Sequence, residues 1–186
     1  MKVEIQKTTE VLSQGGLILY PTDTIWGIGC DATNETAVSK IYQLKERVNT
    51  KTMICLVNND FMLEQYIEEV PELAYDIMDL SSKPTTIVYD NPKGVAKNLI
   101  AEDNTLAIRV AKDKFCQYLI GKFKKPIVST SANLSGRPSP RSFKEIDPEI
   151  LKGVDYIVNL NRDSKKSAPS SIIKLGNDGS VKVIRE

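Results

Sequence analysis

Five short apolar runs constrain the fold of this chain more than any other feature: LILYP (17–21), MICLV (53–57), TTIVYD (85–90), TLAIRVA (105–111) and PIVST (126–130). Runs of this length, rich in Ile, Val and Thr and bounded by Pro, Asn, Asp or Ser, read as buried strands. Between them the apolar residues recur at three- and four-residue spacing, the mark of helices packed on one side. Residues 4–14 form one such segment, ended by Gly15-Gly16. A second starts at Asn34, whose side chain suits an N-cap, and carries Ala37, Val38, Ile41 and Tyr42 on one face. Residues 60–80 hold two helical segments parted near Pro71, and further helices are predicted over 113–123 and 142–152. DYIVNL (155–160) adds a strand, and SSIIKL and VKVIR flank Gly176-Asn177-Asp178-Gly179 as the arms of a hairpin. Helices and strands in alternation, closed by a hairpin, predict an α/β fold with a mixed sheet and helices packed on it. At 186 residues, with no repeat and no linker, the reading is one domain over 1–186.

Composition narrows the chemistry. There is no histidine, which excludes Ser-His-Asp and Cys-His machinery and most zinc sites. Catalysis must then run on Lys, Arg, carboxylates, hydroxyls, backbone amides or a metal held by oxygen. Cys30, Cys55 and Cys116 are far apart and in apolar contexts, as buried thiols of a reducing compartment are. The net charge of +1 exerts no global pull toward nucleic acid or membrane. No apolar run reaches the ~18 residues of a membrane span, and the N-terminus lacks the apolar core of a signal peptide; the expected location is cytoplasmic.

Four stretches place polar groups at strand ends. In YPTDTIWGIGCDA (20–32), Thr22, Asp23 and Thr24 follow a strand, and Gly27 and Gly29 allow close backbone approach; the stretch is either a glycine-rich bend or a ligand surface. In KERVNTK (45–51), Lys45, Arg47 and Lys51 either complement a helix C-terminus or clamp an anion. Arg109, inside an apolar strand, needs a partner, which is either a structural carboxylate or an anionic ligand. VSTSANLSGRPSP (128–140) gathers Ser129, Thr130, Ser131, Asn133 and Ser135 where α/β sheets bind ligands, or else caps its own turn. Neither G-x-x-x-x-G-K-[ST] nor G-x-G-x-x-G occurs. NRDSKKSAPSS (161–171) reads as an exposed loop or a lid.

Taken in order, YPTDTIWGIGCDA, KER with Lys51, KPTTIVY, LAIRV, STSANLSGRP, PSSII and Arg185 in VIRE resemble the YrdC (TsaC) family of threonylcarbamoyl-AMP synthases over nearly the whole chain. The resemblance implies a twisted mixed β-sheet with flanking helices around a concave electropositive cavity. It implies a nucleotidyltransferase that makes L-threonylcarbamoyladenylate and pyrophosphate from L-threonine, bicarbonate and ATP. Mg²⁺ is expected with the ATP, and no protein ligand set for a metal is expected. Separate proteins then pass the threonylcarbamoyl group to a tRNA adenosine, with direct tRNA contact as a further expectation. By position, Lys45, Arg47 and Lys51 correspond to a catalytic basic motif. Thr24, Arg109 and Ser129 correspond to threonine contacts. Arg47, Lys51, Thr105, Ser131, Asn133, Ser139 and Arg185 correspond to ATP-side contacts, and Ser170 and Ser171 match the family's late P-S-T. The sequence departs from the family at Ser81-Ser82-Lys83-Pro84, where W-P-G-P is expected, and at Val48, Leu56 and Ala111. It carries no second, acylphosphatase or zinc-finger region, so the standalone form is expected. The alternative is an RNA-binding module that uses the same basic concavity without catalysis.

Overall fold

The computed structural model describes residues 1–46, 53–163 and 168–186. Pro21 ends the first apolar run early, so β1 spans only Ile18–Tyr20. The chain turns through the polar stretch and returns as β2 (Gly27–Gly29), antiparallel to β1. The remaining strands are β3 (Ile54–Val57), β4 (Thr85–Asp90), β5 (Thr105–Val110), β6 (Ile127–Ser131), β7 (Tyr156–Ile157), β8 (Ser171–Leu175) and β9 (Val181–Arg185). They form one sheet in the order β7-β1-β2-β6-β3-β5-β4-β8-β9. Three parallel pairs (β1/β7, β3/β5, β4/β8) are set among antiparallel ones, which makes the sheet mixed as the sequence predicts.

The helices are α1 (Lys2–Ser13), α2 (Glu35–Leu44), α3 (Asp60–Tyr66), α4 (Glu72–Leu80), α5 (Lys114–Phe123) and α6 (Pro148–Gly153). Four start on side-chain caps, three of them among the first five helices: Asn34 accepts from Ala37 N at 3.1 Å, Asn59 from Met62 N at 2.9 Å, and Asp113 from Cys116 N at 3.0 Å. Gly15, at φ +72°, turns the chain out of α1. The predicted helix over 142–152 is instead a 3₁₀ turn (Phe143–Glu145) followed by the short α6. Pro148 explains the break, because it disfavours helical backbone at Asp147 and can only begin a helix. Asp147 caps that new start, accepting from Glu149 N at 2.9 Å. The strand expected over 155–160 shortens to β7, whose strand partner among the described residues is the three-residue β1.

Register assigns each side chain to a sheet face, because successive residues of a strand point to opposite sides. Gly27 lies opposite Ser131, Ile54 opposite both Ser129 and Ala107, Leu56 opposite Arg109, and Ile172 opposite both Thr86 and Arg185. All of these share one face. Thr85, Val110 and Ser171, each one position along, belong to the other face, where α3 contacts β3 and β5 and α4 contacts β4. Trp26, Tyr20, Tyr89 and Phe115 are among the largest side chains of the core. No helix among the described residues is long and apolar enough to cross a membrane.

Candidate functional site

On the first face lies a cavity of about 210 Å³, lined by residues from five distant parts of the chain. The turn between β1 and β2 supplies one side. Thr22 Oγ1 accepts from Thr24 N at 3.0 Å, donates to Ile25 O at 2.7 Å and lies 2.9 Å from Thr24 Oγ1. These bonds satisfy a buried turn and fix Thr24 at the cavity wall. The stretch is a self-capped bend, and its second threonine faces the cavity.

Arg109 finds the structural carboxylate that one of its two readings expects. Its Nη2 lies 3.0 Å from Asp23 Oδ1 and 3.5 Å from Thr24 Oγ1, with only 4% of its side chain exposed. The carboxylate offsets part of the cost of burying a guanidinium, and the arginine also lines the cavity. Arg109 Nε and Asp23 Oδ2 are buried without a hydrogen-bond partner among the described residues. Ser129 and Ser131 enter the wall from β6, opposite Ile54 and Gly27. A Cβ on Gly27 would sit 3.3 Å from Ser129 Oγ, so the glycine lets the two strands lie close together at the cavity wall.

The far wall comes from the other end of the chain. Arg185 donates from Nε and Nη2 to Ser170 O at 2.9 and 2.7 Å, and Ser170 Oγ lies 2.8 Å from Thr86 Oγ1. Arg185 has no carboxylate partner among the described residues. Burial, and then the charge of Arg109, pull its pKa down. Two guanidiniums that feel each other across one cavity are relieved by an anion placed between them. Tyr20 and Cys116, packed near the Asp23–Arg109 pair, are not proton donors or acceptors at neutral pH: burial raises the Tyr20 hydroxyl and the Cys116 thiol well above their ordinary values. What the arrangement can do is hold and orient anionic groups.

Of the residues singled out in the sequence, Thr24, Arg109, Ser129, Ser131, Ser139, Ser170 and Arg185 meet in this cavity. Arg47 and Lys51 lie outside the described residues, as do positions 164–167 of the 161–171 loop. Four others are placed elsewhere. Lys45 is 1% exposed, and its ammonium turns inward to the carbonyls of Ser131 and Asn133, the latter at 2.5 Å. It thus holds the turn after β6 rather than facing the cavity. Asn133 spends its amide on Leu134 O and Arg137 O, at 2.9 and 2.6 Å, capping its own turn. Thr105 sits at the start of β5, four residues from Arg109, and donates to Asp103 Oδ1 at 2.7 Å. Ser171 falls on the opposite sheet face from Ile172. Sequence reasoning passes over Met53, Ile54, Pro169 and Ile172, which with Ile25 form the apolar part of the lining. Only knowledge that β3 pairs with β6, and β8 with β4, would have exposed them. Asp23 was noticed but given no role.

A family model for the Sua5/YciO/YrdC domain, described as "Telomere recombination", matches residues 10–186. A curated relative from Hahella chejuensis, named threonylcarbamoyl-AMP synthase, is 35% identical over 169 residues, covering 90% of this chain and 91% of its own. The solved structure of P. abyssi Sua5 complexed with L-threonine superimposes with a TM-score of 0.82 at 26% identity over 92% of this chain. This chain spans 50% of that Sua5 chain, about half its length. The crystal structure of E. coli YciO superimposes with a TM-score of 0.86 at 25% identity, covering 100% of this chain and 90% of that one.

Proposed function

Since the chain belongs to the Sua5/YciO/YrdC family, we propose that its cavity binds L-threonine and ATP and makes L-threonylcarbamoyl-AMP. The observation that carries this reading is the convergence of Thr24, Arg109 and Ser129 with Ser131, Ser170 and Arg185 around one cavity. The threonine amine and bicarbonate condense to a carbamate, releasing water. A carbamate oxygen then attacks the α-phosphorus of ATP, the α–β phosphoanhydride bond breaks, and pyrophosphate leaves. Every reacting species is anionic, so positioning and charge stabilisation carry the step, and no histidine is needed.

In this reading Arg109, already balanced by Asp23, takes the single charge of the threonine carboxylate, flanked by the hydroxyls of Thr24 and Ser129. Arg185, with no carboxylate partner among the described residues, takes the more highly charged phosphates, with Ser131 and Ser139 as donors. Arg47 and Lys51 join the ATP side on the strength of the sequence resemblance. A nucleotidyltransferase of this kind uses ATP with Mg²⁺. In this reading the ion arrives with the nucleotide substrate, whose phosphates it neutralises. The product is a reactive mixed anhydride for acceptor proteins of tRNA modification, which puts the enzyme in the cytoplasm. The relatives are named as synthases, and no observation favours a non-catalytic RNA-binding role for the cavity.

The test is pyrophosphate release by the purified chain. It is expected only when ATP, threonine and bicarbonate are all present. Release that ignores threonine, or none with all three, refutes the proposal.

A further inference from the structure

The sheet face opposite the cavity carries a second depression of about 120 Å³. Thr85 and Val110 line it from β4 and β5, each one residue from a side chain of the cavity face. Asp60 of α3 and Met78 and Asp79 of α4 complete the rim. Lys112 also lines it, but its ammonium is engaged by the carbonyls of Met78 and Ser81 at 3.2 and 3.0 Å. Ser81, another lining residue, stands where the sequence resemblance leads one to expect a tryptophan, so a small side chain borders this space.

Two features of the surroundings point to a partner. The first is charge. Residues 60–82 contain seven carboxylates, all exposed, and no lysine or arginine, in a chain whose 25 bases and 24 acids nearly balance. An ordinary solvated helix face intersperses both signs. Tyr75 donates to Glu64 Oε1 at 2.9 Å, joining α4 to α3 as one surface. Burial, and then the Glu64 hydrogen bond and the charges of Glu64 and Asp60, raise the Tyr75 hydroxyl. The second feature is apolar exposure. Phe61 and Leu80, each adjacent in sequence to a rim aspartate, are 70% and 83% exposed. Leu73, seven residues before Leu80 and therefore on the same side of α4, is also exposed. Large apolar side chains standing out of a predominantly acidic field, with Lys112 tied to backbone carbonyls at its rim and Lys83 just beyond it, form an interface pattern: the charge steers the partner and the apolar groups anchor it.

We propose that the α3–α4 face docks a protein whose surface presents an apolar side chain between lysines or arginines, seated in the depression beside Phe61 and Leu80. Nucleic acid is repelled by this field, and so is the same face of a second copy. The test uses the full chain and two synthetic amphipathic helices as probes, one of leucine and lysine and one of leucine and glutamate, followed by fluorescence anisotropy. The lysine probe binds and the glutamate probe does not, and raising salt from about 50 to about 300 mM weakens binding. Leu80→Ser, which removes the anchor, and Ser81→Trp, which fills the depression, each weaken it about tenfold. Both variants keep the melting temperature and the pyrophosphate release of the parent, which separates this surface from the cavity. Equal binding of both probes, or no effect of either variant, overturns the proposal. So does tRNA binding or dimerisation that Leu80→Ser abolishes.

Discussion

The Asp23–Arg109 pair offers the sharpest test of the cavity, because it links stability to function through two named atoms. Arg109→Met keeps the length of the side chain but removes the guanidinium that lies 3.0 Å from Asp23 Oδ1. Asp23 is only 13% exposed and its other oxygen already lacks a partner among the described residues. The variant therefore strands a carboxylate. Breaking a buried pair from one side costs about 3–5 kcal/mol, and the partial exposure of Asp23 places the expected loss near about 3 kcal/mol. For a chain of this length that lowers the melting temperature by roughly 6–12 °C. Asp23→Asn keeps an acceptor oxygen for the guanidinium and loses less, about 1–2 kcal/mol. The double variant removes both charges, so it recovers part of the sum. A double-mutant cycle by urea denaturation should show a coupling of about 1–3 kcal/mol. In the pyrophosphate assay, Arg109→Met abolishes the response to threonine, while Asp23→Asn raises the KM for threonine and leaves that for ATP nearly unchanged. A coupling below about 0.5 kcal/mol, or a defect confined to ATP, refutes the assignment of this pair to the threonine side.

Three further outcomes follow from the same geometry. Lys45→Met leaves the Ser131 and Asn133 carbonyls without their ammonium, so it should cost about 2–4 kcal/mol in urea denaturation and raise the KM for ATP more than that for threonine. Gly29→Ala puts a Cβ 2.6 Å from Val128 O and 2.8 Å from Tyr20 Cε1, so it destabilises by about 1–3 kcal/mol or more; Gly27→Ala, with its nearest contact at 3.3 Å, melts near the parent temperature but loses turnover by narrowing the cavity. All three cysteines are buried, with burial pushing Cys55 up to about 12 and Cys30 and Cys116 well above the ordinary thiol range. A thiolate-specific reagent at pH 8 should therefore label none of them until denaturant is added, and fast labelling of the native chain would contradict the burial.

Most of the secondary structure was legible because its causes are local. Asn34 caps the residue three positions on, Gly15 turns a helix that has run out of apolar spacing, and β4 and β5 follow from unbroken runs of strand formers. Where local signals competed, as at Pro148 inside an apolar pattern, proline won and the predicted helix split. The chemistry was bounded in the same way: a chain without histidine, with serines, threonines and arginines at strand ends, suits the handling of anions.

The folded chain alone decided which of those side chains meet. Arg109 finds Asp23 across 86 positions of sequence, and Lys45 reaches Ser131 across the same separation. No local pattern records such pairings, which are selected by the burial of the whole sheet. A strand's register then acts as a switch, since one step along it sends a side chain to the other face. That step puts Ser170 and Ile172 in the cavity and Ser171 outside it. It also separates Arg109, facing the proposed substrates, from Val110, facing the proposed docking surface. Lys45 shows the same division from a helix end: its charge was evident from the amino-acid order, but its inward direction depended on two carbonyls brought beneath it by the pairing of β6 with β2 and β3.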